Sequence, residues 1–115
     1  MTNTGCLPIA CDLTVFGDNE KKRQKAILDE FRARVKAAEE LADGYAFSLI
    51  PEPHMLALLA EMISLESKCC PFLTFTLEVA QGGHSITLKL TGREGVKDVV
   101  RAEFPSQISN LKSQI

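Results

Sequence analysis

The strongest constraint on the fold is a pair of alternating segments in the C-terminal half of the chain. In Phe72–Val79 and again in Ser85–Leu90, apolar and polar side chains alternate with a period of two, which is typical of β-strands with one buried face. The connection Gln81-Gly82-Gly83-His84 has glycine in the turn, so the two segments are predicted to form a β-hairpin. A sheet with one apolar face needs a covering layer, and we therefore expect helices packed on that face.

An apolar helix is predicted directly before this hairpin. Pro53 suits the first turn of a helix, because its missing N–H group would have no partner there. Pro71 disfavours helical geometry at Cys70, so the helix is expected to end near Lys68 or Cys69. Its apolar positions cover much of the helix surface: Met55, Leu56, Leu58, Leu59, Met62, Ile63 and Leu65. Such a wide stripe predicts burial on more than one side, in the core and at a subunit contact.

The N-terminal half is predicted to contain a strand, a long helix and a second strand. Alternation over residues 7–15 predicts the first strand. Apolar residues at helical spacing predict a helix from Asp18 to about Ala42. Residues 45–49 alternate again as a second strand, and a helical crossover of this length would place it parallel to the first.

Two further helices are predicted after the hairpin. Residues 91–94 form a capping box that opens a short helix. Ile108, Leu111 and Ile115 lie at helical spacing and predict a terminal helix. The element order is therefore β-α-β-α-β-β-α with an additional C-terminal helix. We interpret it as one α+β domain over residues 1–115, a two-layer sandwich with a mixed four-stranded sheet and helices on one face.

Charge and hydropathy exclude several classes of protein. Thirteen basic and fifteen acidic residues give a net charge of −2, and the pI near 5.7 is far below the value above about 9 that is typical of nucleic-acid-binding domains. No uncharged apolar run approaches the roughly 18 residues of a membrane helix. The first basic residue is Lys21, so no basic region precedes an apolar stretch as in a signal peptide. We expect a cytoplasmic protein with neither nucleic-acid nor membrane partners.

Four cysteines are the only chemical lead: Cys6, Cys11, Cys69 and Cys70. In a reducing cytosol thiols are expected to stay free, and clustered thiols suggest metal or redox chemistry. No C-x2-C spacing is present, so a structural zinc finger and a thioredoxin-type motif are both improbable. Cys6 is expected to be an exposed bystander.

Geometry limits how these thiols combine. Adjacent Cα atoms lie about 3.8 Å apart, whereas disulfides usually need about 4.4–6.8 Å, so a redox bridge would more plausibly join Cys11 to Cys69 or Cys70. The same three sulfurs would make the environment that soft ions prefer. Glu66 lies one turn before the pair and on the same side of the helix. The candidate site for a soft ion of the Zn, Hg or As class, or for a small thiol-reactive ligand, is therefore Cys11, Cys69, Cys70 and Glu66.

Each candidate also has a purely structural explanation. Free cysteine is among the most buried residue types, so core packing is favoured over ligation for Cys11. For Cys69 and Cys70, packing and chemistry are evenly matched. Glu66 alone is most often a solvated helix residue.

Two further functions stay open. The first is a non-catalytic homodimeric assembly module, whose cysteines are only core residues and whose contacts come from the apolar helix 53–68 or from the tail at Ile108, Leu111 and Ile115. The second is an enzyme with a nucleophilic thiol. Catalysis ranks last, because Glu66 and a helix C-terminus both raise the pKa of a thiol that would need a lowered one.

The cysteine motif also carries a resemblance. The segments Cys11-Asp12-Leu13-Thr14, Glu66-x-x-Cys69-Cys70-Pro71-Phe72 and Leu90-Thr91-Gly92-x-Glu94-Gly95 resemble a family of small uncharacterised bacterial proteins with an E-x-x-C-C-P-F motif. Similar proteins are associated with the neighbourhood of heavy-metal resistance genes. The resemblance spans about residues 11–104 and implies motif positions rather than a reaction.

Overall fold

A computed structural model describes residues 11–113 of the chain, with side chains described as far as residue 109. The strands are β1 (Val35–Leu41), β2 (Gly44–Leu49), β3 (Thr74–Ala80) and β4 (Ser85–Thr91). The helices are α1 (Asp18–Arg34), α2 (Met55–Cys69), α3 (Val96–Glu103) and α4 (Pro105–Ser113). Short 3-10 turns occupy Leu13–Val15 and Gln81–Gly83. None of the helices in this part of the chain is both long and apolar enough to cross a membrane.

The four strands form one open sheet in the order β1-β2-β4-β3. Each neighbouring pair is antiparallel. The predicted α+β class, the hairpin and the end of α2 at Cys69 are confirmed. The predicted mixed sheet is wrong, because the first two strands of the sheet are joined by a tight turn instead of a helical crossover.

The second half of the predicted long helix is a strand. α1 ends at Arg34, and β1 then pairs with β2, with Ala38 opposite the fully buried Phe47. The residues of β1 are mostly good helix formers, so their local preference is overridden by pairing with a buried strand. Gly44 permits this arrangement, since a Cβ atom there would lie only 1.9 Å from the carbonyl oxygen of Leu90.

The described part of the predicted first strand, residues 11–15, does not form a strand. Residues 7–10 lie outside the described residues, and residues 13–15 form a 3-10 turn. Asp12 caps this turn, because its side chain accepts a hydrogen bond of 3.0 Å from the N–H group of Thr14. Such local side-chain bonds give the backbone an alternative to a strand ladder.

The core lies between the sheet and the helices. Phe31 of α1 and Phe104, which follows α3, both meet Phe47 of β2 edge-to-face, at centroid distances of 5.7 and 5.3 Å. The opposite face of the sheet carries the ion pair between Lys89 and Glu78. The prediction that the helices share one face is therefore confirmed, and the architecture is a two-layer sandwich.

The flank of α2 that faces α1 is held by surface ion pairs. Arg23 contacts Glu61 at 2.7 Å, and Lys68 contacts Glu20 at 3.3 Å. Exposed pairs of this kind contribute about 0.2–1 kcal/mol each, so they set orientation more than stability. The seven buried residues of α2 set its inward face, and the ion pairs lie beside that face, on the side towards α1.

Candidate thiol–carboxylate site

The last turn of α2 builds one half of the site. Cys69 ends the helix, and the N–H group of Cys70 donates to the carbonyl oxygen of Glu66 at 2.7 Å. This bond extends the helical geometry to Cys70, so the sulfurs of Cys69 and Cys70 both lie over the preceding turn. The carboxylate of Glu66 therefore lies on the same side as the two sulfurs, as the spacing predicts.

The segment before α1 supplies the other half. The N–H group of Asp12 donates to the carbonyl oxygen of Cys69 at 2.8 Å. This bond brings Cys11 to Cys70, at a Cα–Cα distance of 4.7 Å, and the two form a disulfide across a sequence separation of 59. The predicted bridge between Cys11 and one member of the pair is confirmed, whereas the expectation that all the thiols stay free is wrong. Cys6 lies outside the described residues.

Cys69 is a free thiol inside this cluster. Its Sγ lies 3.4 Å from Cys70 Sγ and 3.9 Å from Glu66 Oε2. Cys70 Sγ lies 3.8 Å from Glu66 Oε1. One ligand atom from each of Cys11, Glu66, Cys69 and Cys70 lies within 4.8 Å of all the others. The structure thus brings together all four predicted site residues.

Glu66 is buried, with only 3% of its surface exposed, so its interpretation as a solvated helix residue is wrong. Gln24 of α1 donates from Nε2 to Glu66 Oε2 at 2.8 Å. Burying a carboxyl group without a partner is costly, and this bond supplies one. Sequence reasoning missed Gln24, although it lies three and seven residues before Ile27 and Phe31, at positions that continue the inward stripe of α1.

Burial and charge make the proton difficult to remove from Cys69. Desolvation, together with the charges of Glu66 and Glu103, raises the pKa of the Cys69 thiol to about 12. Desolvation also raises the pKa of Glu66, although the hydrogen bond from Gln24 opposes this shift. A nucleophilic thiol needs the opposite shift, so Cys69 is not activated for attack.

The site has one exposed side. Cys69 and Cys70 are 0% exposed, whereas Cys11 is only partly buried. Among the described residues of the cluster, Cys11 is therefore the most exposed. A ligand or a reducing agent would reach the cluster from the side of Cys11.

The fold and the site together define an α+β protein with a buried cluster of thiols and one carboxyl group. No protein-family model, curated protein or solved structure matches the chain. The function is therefore argued from the chemistry of the cluster.

Proposed function

We propose that the reduced protein binds a soft metal or metalloid ion, of the Zn(II), Hg(II) or As(III) class, through Cys11, Cys69, Cys70 and Glu66. One observation carries the proposal: four potential ligand atoms lie within 4.8 Å of one another. They come from two parts of the chain, since Cys11 and Cys70 are 59 residues apart in sequence. The association of similar motifs with heavy-metal resistance genes is part of the same proposal.

The distances are compatible with a shared ion. Two sulfurs bound to one zinc ion at about 2.3 Å each are at most about 4.6 Å apart. The sulfurs of Cys69 and Cys70 are 3.4 Å apart, and each lies within 3.9 Å of an oxygen of Glu66. Only local adjustment is needed once Cys11 and Cys70 are separated by reduction.

The donor set favours a soft ion over a hard one. Three thiolates suit soft and borderline ions, whereas hard cations such as Mg²⁺ and Ca²⁺ prefer oxygen ligands. Glu66 would complete a four-coordinate arrangement for zinc. Gln24 would act outside the ligand set, because its hydrogen bond to Oε2 restrains the carboxylate.

Ion binding and the disulfide exclude one another. A disulfide sulfur is not the thiolate that a metal needs, so the oxidised protein lacks two of the three sulfur ligands. We therefore propose that the site takes up an ion only after reduction, and that oxidation releases it. This makes occupancy dependent on the redox state of the compartment.

Binding also has to displace protons. Thiols bind metals as thiolates, so uptake releases protons and weakens as the pH falls. Because the pKa of Cys69 is raised to about 12, the thiol keeps its proton at neutral pH unless an ion compensates the charge. We expect the apparent affinity to rise steeply with pH across the neutral range.

The test is a titration of the reduced protein with Zn(II), Hg(II) and As(III), followed by mass spectrometry under native conditions. The wild type should bind one ion per chain, and a Cys69→Ser/Cys70→Ser variant should bind none at the same concentration. Cys6→Ser is the matched control, since it removes a thiol that is not one of the proposed ligands and should leave uptake unchanged. Equal, negligible uptake by the wild type and the double variant would contradict the proposal.

An alternative function is a non-catalytic assembly module whose cysteines are only core residues. The complete burial of Cys69 and Cys70 favours this reading, because buried free cysteine often behaves as a small apolar residue. The oxidised protein would then be the working form, and the disulfide would be a structural tether. In that case the titration shows no uptake, while the Cys69→Ala variant stays folded and keeps its assembly state.

A further inference from the structure

β3 is an edge of the sheet that the described strands form. Within residues 11–113 it pairs only with β4, so alternate residues of β3 direct their backbone N–H and C=O groups away from the sheet. Proteins usually protect such an edge with lysine, proline or a bulge. β3 has the sequence Thr-Phe-Thr-Leu-Glu-Val-Ala and a regular register, with neither lysine nor proline, and its one charged residue, Glu78, is paired with Lys89 of β4.

The helix-facing side of β3 is only partly covered. Leu77 is 37% exposed and Val79 is 46% exposed, although their partners on β4, Leu88 and Ile86, are buried. The helical layer therefore ends before it reaches the edge of the sheet. Two apolar side chains of β3 are therefore left exposed at this edge of the sheet.

The neighbouring flank of α2 is also without charge. Leu56, Ala60, Ile63 and Ser67 follow one another at i, i+4, i+7 and i+11, which places them in one row on the helix surface. Leu56, Ala60 and Ser67 are exposed, and Ile63 is partly exposed. This row is about 120° around the helix axis from the flank that forms ion pairs with α1.

The charged and uncharged flanks of α2 face different neighbours. Glu61 and Lys68 contact α1, and Leu56 lines a groove together with Ile86 and the β3–β4 turn. Leu56, the first residue of the uncharged row, therefore lies beside the β3–β4 turn. We define the α2–β3 patch by seven residues: Leu56, Ala60, Ile63, Ser67, Phe75, Leu77 and Val79.

We propose that the α2–β3 patch binds a second copy of this chain. The two copies of β3 pair antiparallel about a two-fold axis at Leu77, which joins two four-stranded sheets into one of eight strands. The two α2 helices then lie side by side over the joined edge. This proposal is independent of the ion site.

The sequence of β3 is complementary to itself in this register. Leu77 faces Leu77 of the partner subunit, and Phe75 faces Val79 of the partner subunit, so apolar side chains meet on one face. Glu78 faces Thr76 of the partner subunit, and its charge is already paired with Lys89 at 3.2 Å. No like charges lie directly opposite one another, which would be destabilising.

Length and symmetry also favour a second copy. A strand of seven residues spans about 23 Å at ~3.3 Å per residue, and the fifteen residues of α2 span about 22 Å at 1.5 Å per residue. The strand in the sheet layer and the helix in the helical layer are therefore about equally long. Antiparallel pairing over this length adds about six backbone hydrogen bonds, and a two-fold contact closes without forming a fibre.

The sequence suggested two dimer contacts, the apolar helix and the tail at Ile108, Leu111 and Ile115; of these three tail side chains the structure describes only Ile108. Ile108 of the tail is 4% exposed and belongs to the core of its own chain, so it is not free to form a contact. The apolar helix predicted over residues 53–68 stays a candidate, but through its uncharged flank next to β3.

The test is the molar mass of the full chain by light scattering after size-exclusion chromatography. The chain of 12.6 kDa should elute with a mass of 2 × 12.6 = 25.2 kDa. Val79→Lys introduces a charge at the edge, and Ala60→Arg introduces one on the α2 row. Both variants should shift the mass to that of a monomer while keeping the far-ultraviolet circular dichroism of the wild type.

Each variant has a matched control outside the patch. Val15 is 47% exposed, close to the 46% of Val79, so Val15→Lys should leave the dimer intact. Ala57 is exposed on α2 outside the row, so Ala57→Arg should do the same. A wild type that stays monomeric, forms larger assemblies, or keeps the dimer mass in both Val79→Lys and Ala60→Arg would overturn the proposal. Monomeric wild type that instead binds a different protein through β3 would overturn it as well.

Discussion

Reduction of the Cys11–Cys70 disulfide should lower the free energy of unfolding by about 4 kcal/mol. The bridge joins the segment before α1 to the end of α2 across a sequence separation of 59. Opening it gives the unfolded chain many more conformations, and it also releases the segment that holds Cys11 against the cluster.

The magnitude follows from the size of the closed loop. The chain-entropy relation gives roughly 14 cal/mol/K for a loop of 59 residues, or about 4 kcal/mol at 25 °C. A domain of this size is stabilised by about 5–15 kcal/mol, so the loss is a large fraction of the total. The hydrogen bond from Asp12 to Cys69 adds to the loss if the released segment moves away.

Urea unfolding followed by circular dichroism measures the effect with and without a reductant. Cys11→Ser should show the same loss without a reductant, and Cys6→Ser should show none. Saturating zinc should return stability to the reduced wild type, by about 2.7 kcal/mol at a hundredfold excess over Kd, but not to Cys11→Ser to the same extent. Equal stability of the oxidised, reduced and Cys11→Ser proteins would refute the reasoning.

Three further predictions concern single side chains. Because the pKa of Cys69 is raised from 9.0 to about 12, its contribution to stability is present below pH 9 and is lost as the pH rises towards 12, by about 1.4 kcal/mol per pH unit. Unfolding curves recorded between about pH 7 and 10.5 should show this slope only above pH 9, in the wild type and not in Cys69→Ala. Gln24→Ala removes the amide donor of Glu66, leaving only the weak thiol donor Cys69, and should cost about 1–3 kcal/mol in urea unfolding, whereas a loss below about 0.5 kcal/mol would argue against a buried bond. Gly44→Ala should lower Tm by several degrees, because the new Cβ atom would lie too close to the carbonyl oxygen of Leu90. Gly17→Ala is the control and should change Tm little, because nothing lies within 4 Å of a Cβ atom there. Equal changes in the two variants would contradict the close approach.

The parts of the fold that sequence reasoning predicted are those governed by local backbone rules. Pro71 ends α2, and glycines at 82 and 83 adopt positive φ values in the turn of the hairpin. These residues restrict the backbone wherever the rest of the chain lies. Their effects could therefore be predicted without knowledge of tertiary structure.

β1 could not be predicted in this way. Its residues favour a helix locally, and only the pairing of Ala38 with Phe47 makes the strand the better state. The wrong prediction that the first two strands are parallel followed from that error, because a helix of this length would have joined parallel strands. A tertiary contact decided both features.

The candidate site shows the same division. A bridge from Cys11 to one member of the pair could be predicted, because adjacent cysteines are too close for a relaxed disulfide, whereas the choice of Cys70 over Cys69 comes from the structure. The burial of Glu66 and its bond to Gln24 depend on how α1 packs against α2, which the spacing of the motif does not determine.

The most direct test of the ion site is X-ray absorption at the zinc edge of the reduced, zinc-loaded protein. Ligation by Cys11, Cys69, Cys70 and Glu66 predicts three sulfurs at about 2.3 Å and one oxygen at about 2.0–2.2 Å from the metal. The oxidised protein should retain no zinc after gel filtration. A zinc shell of only nitrogen and oxygen atoms, or equal retention by the oxidised protein, would contradict the central claim.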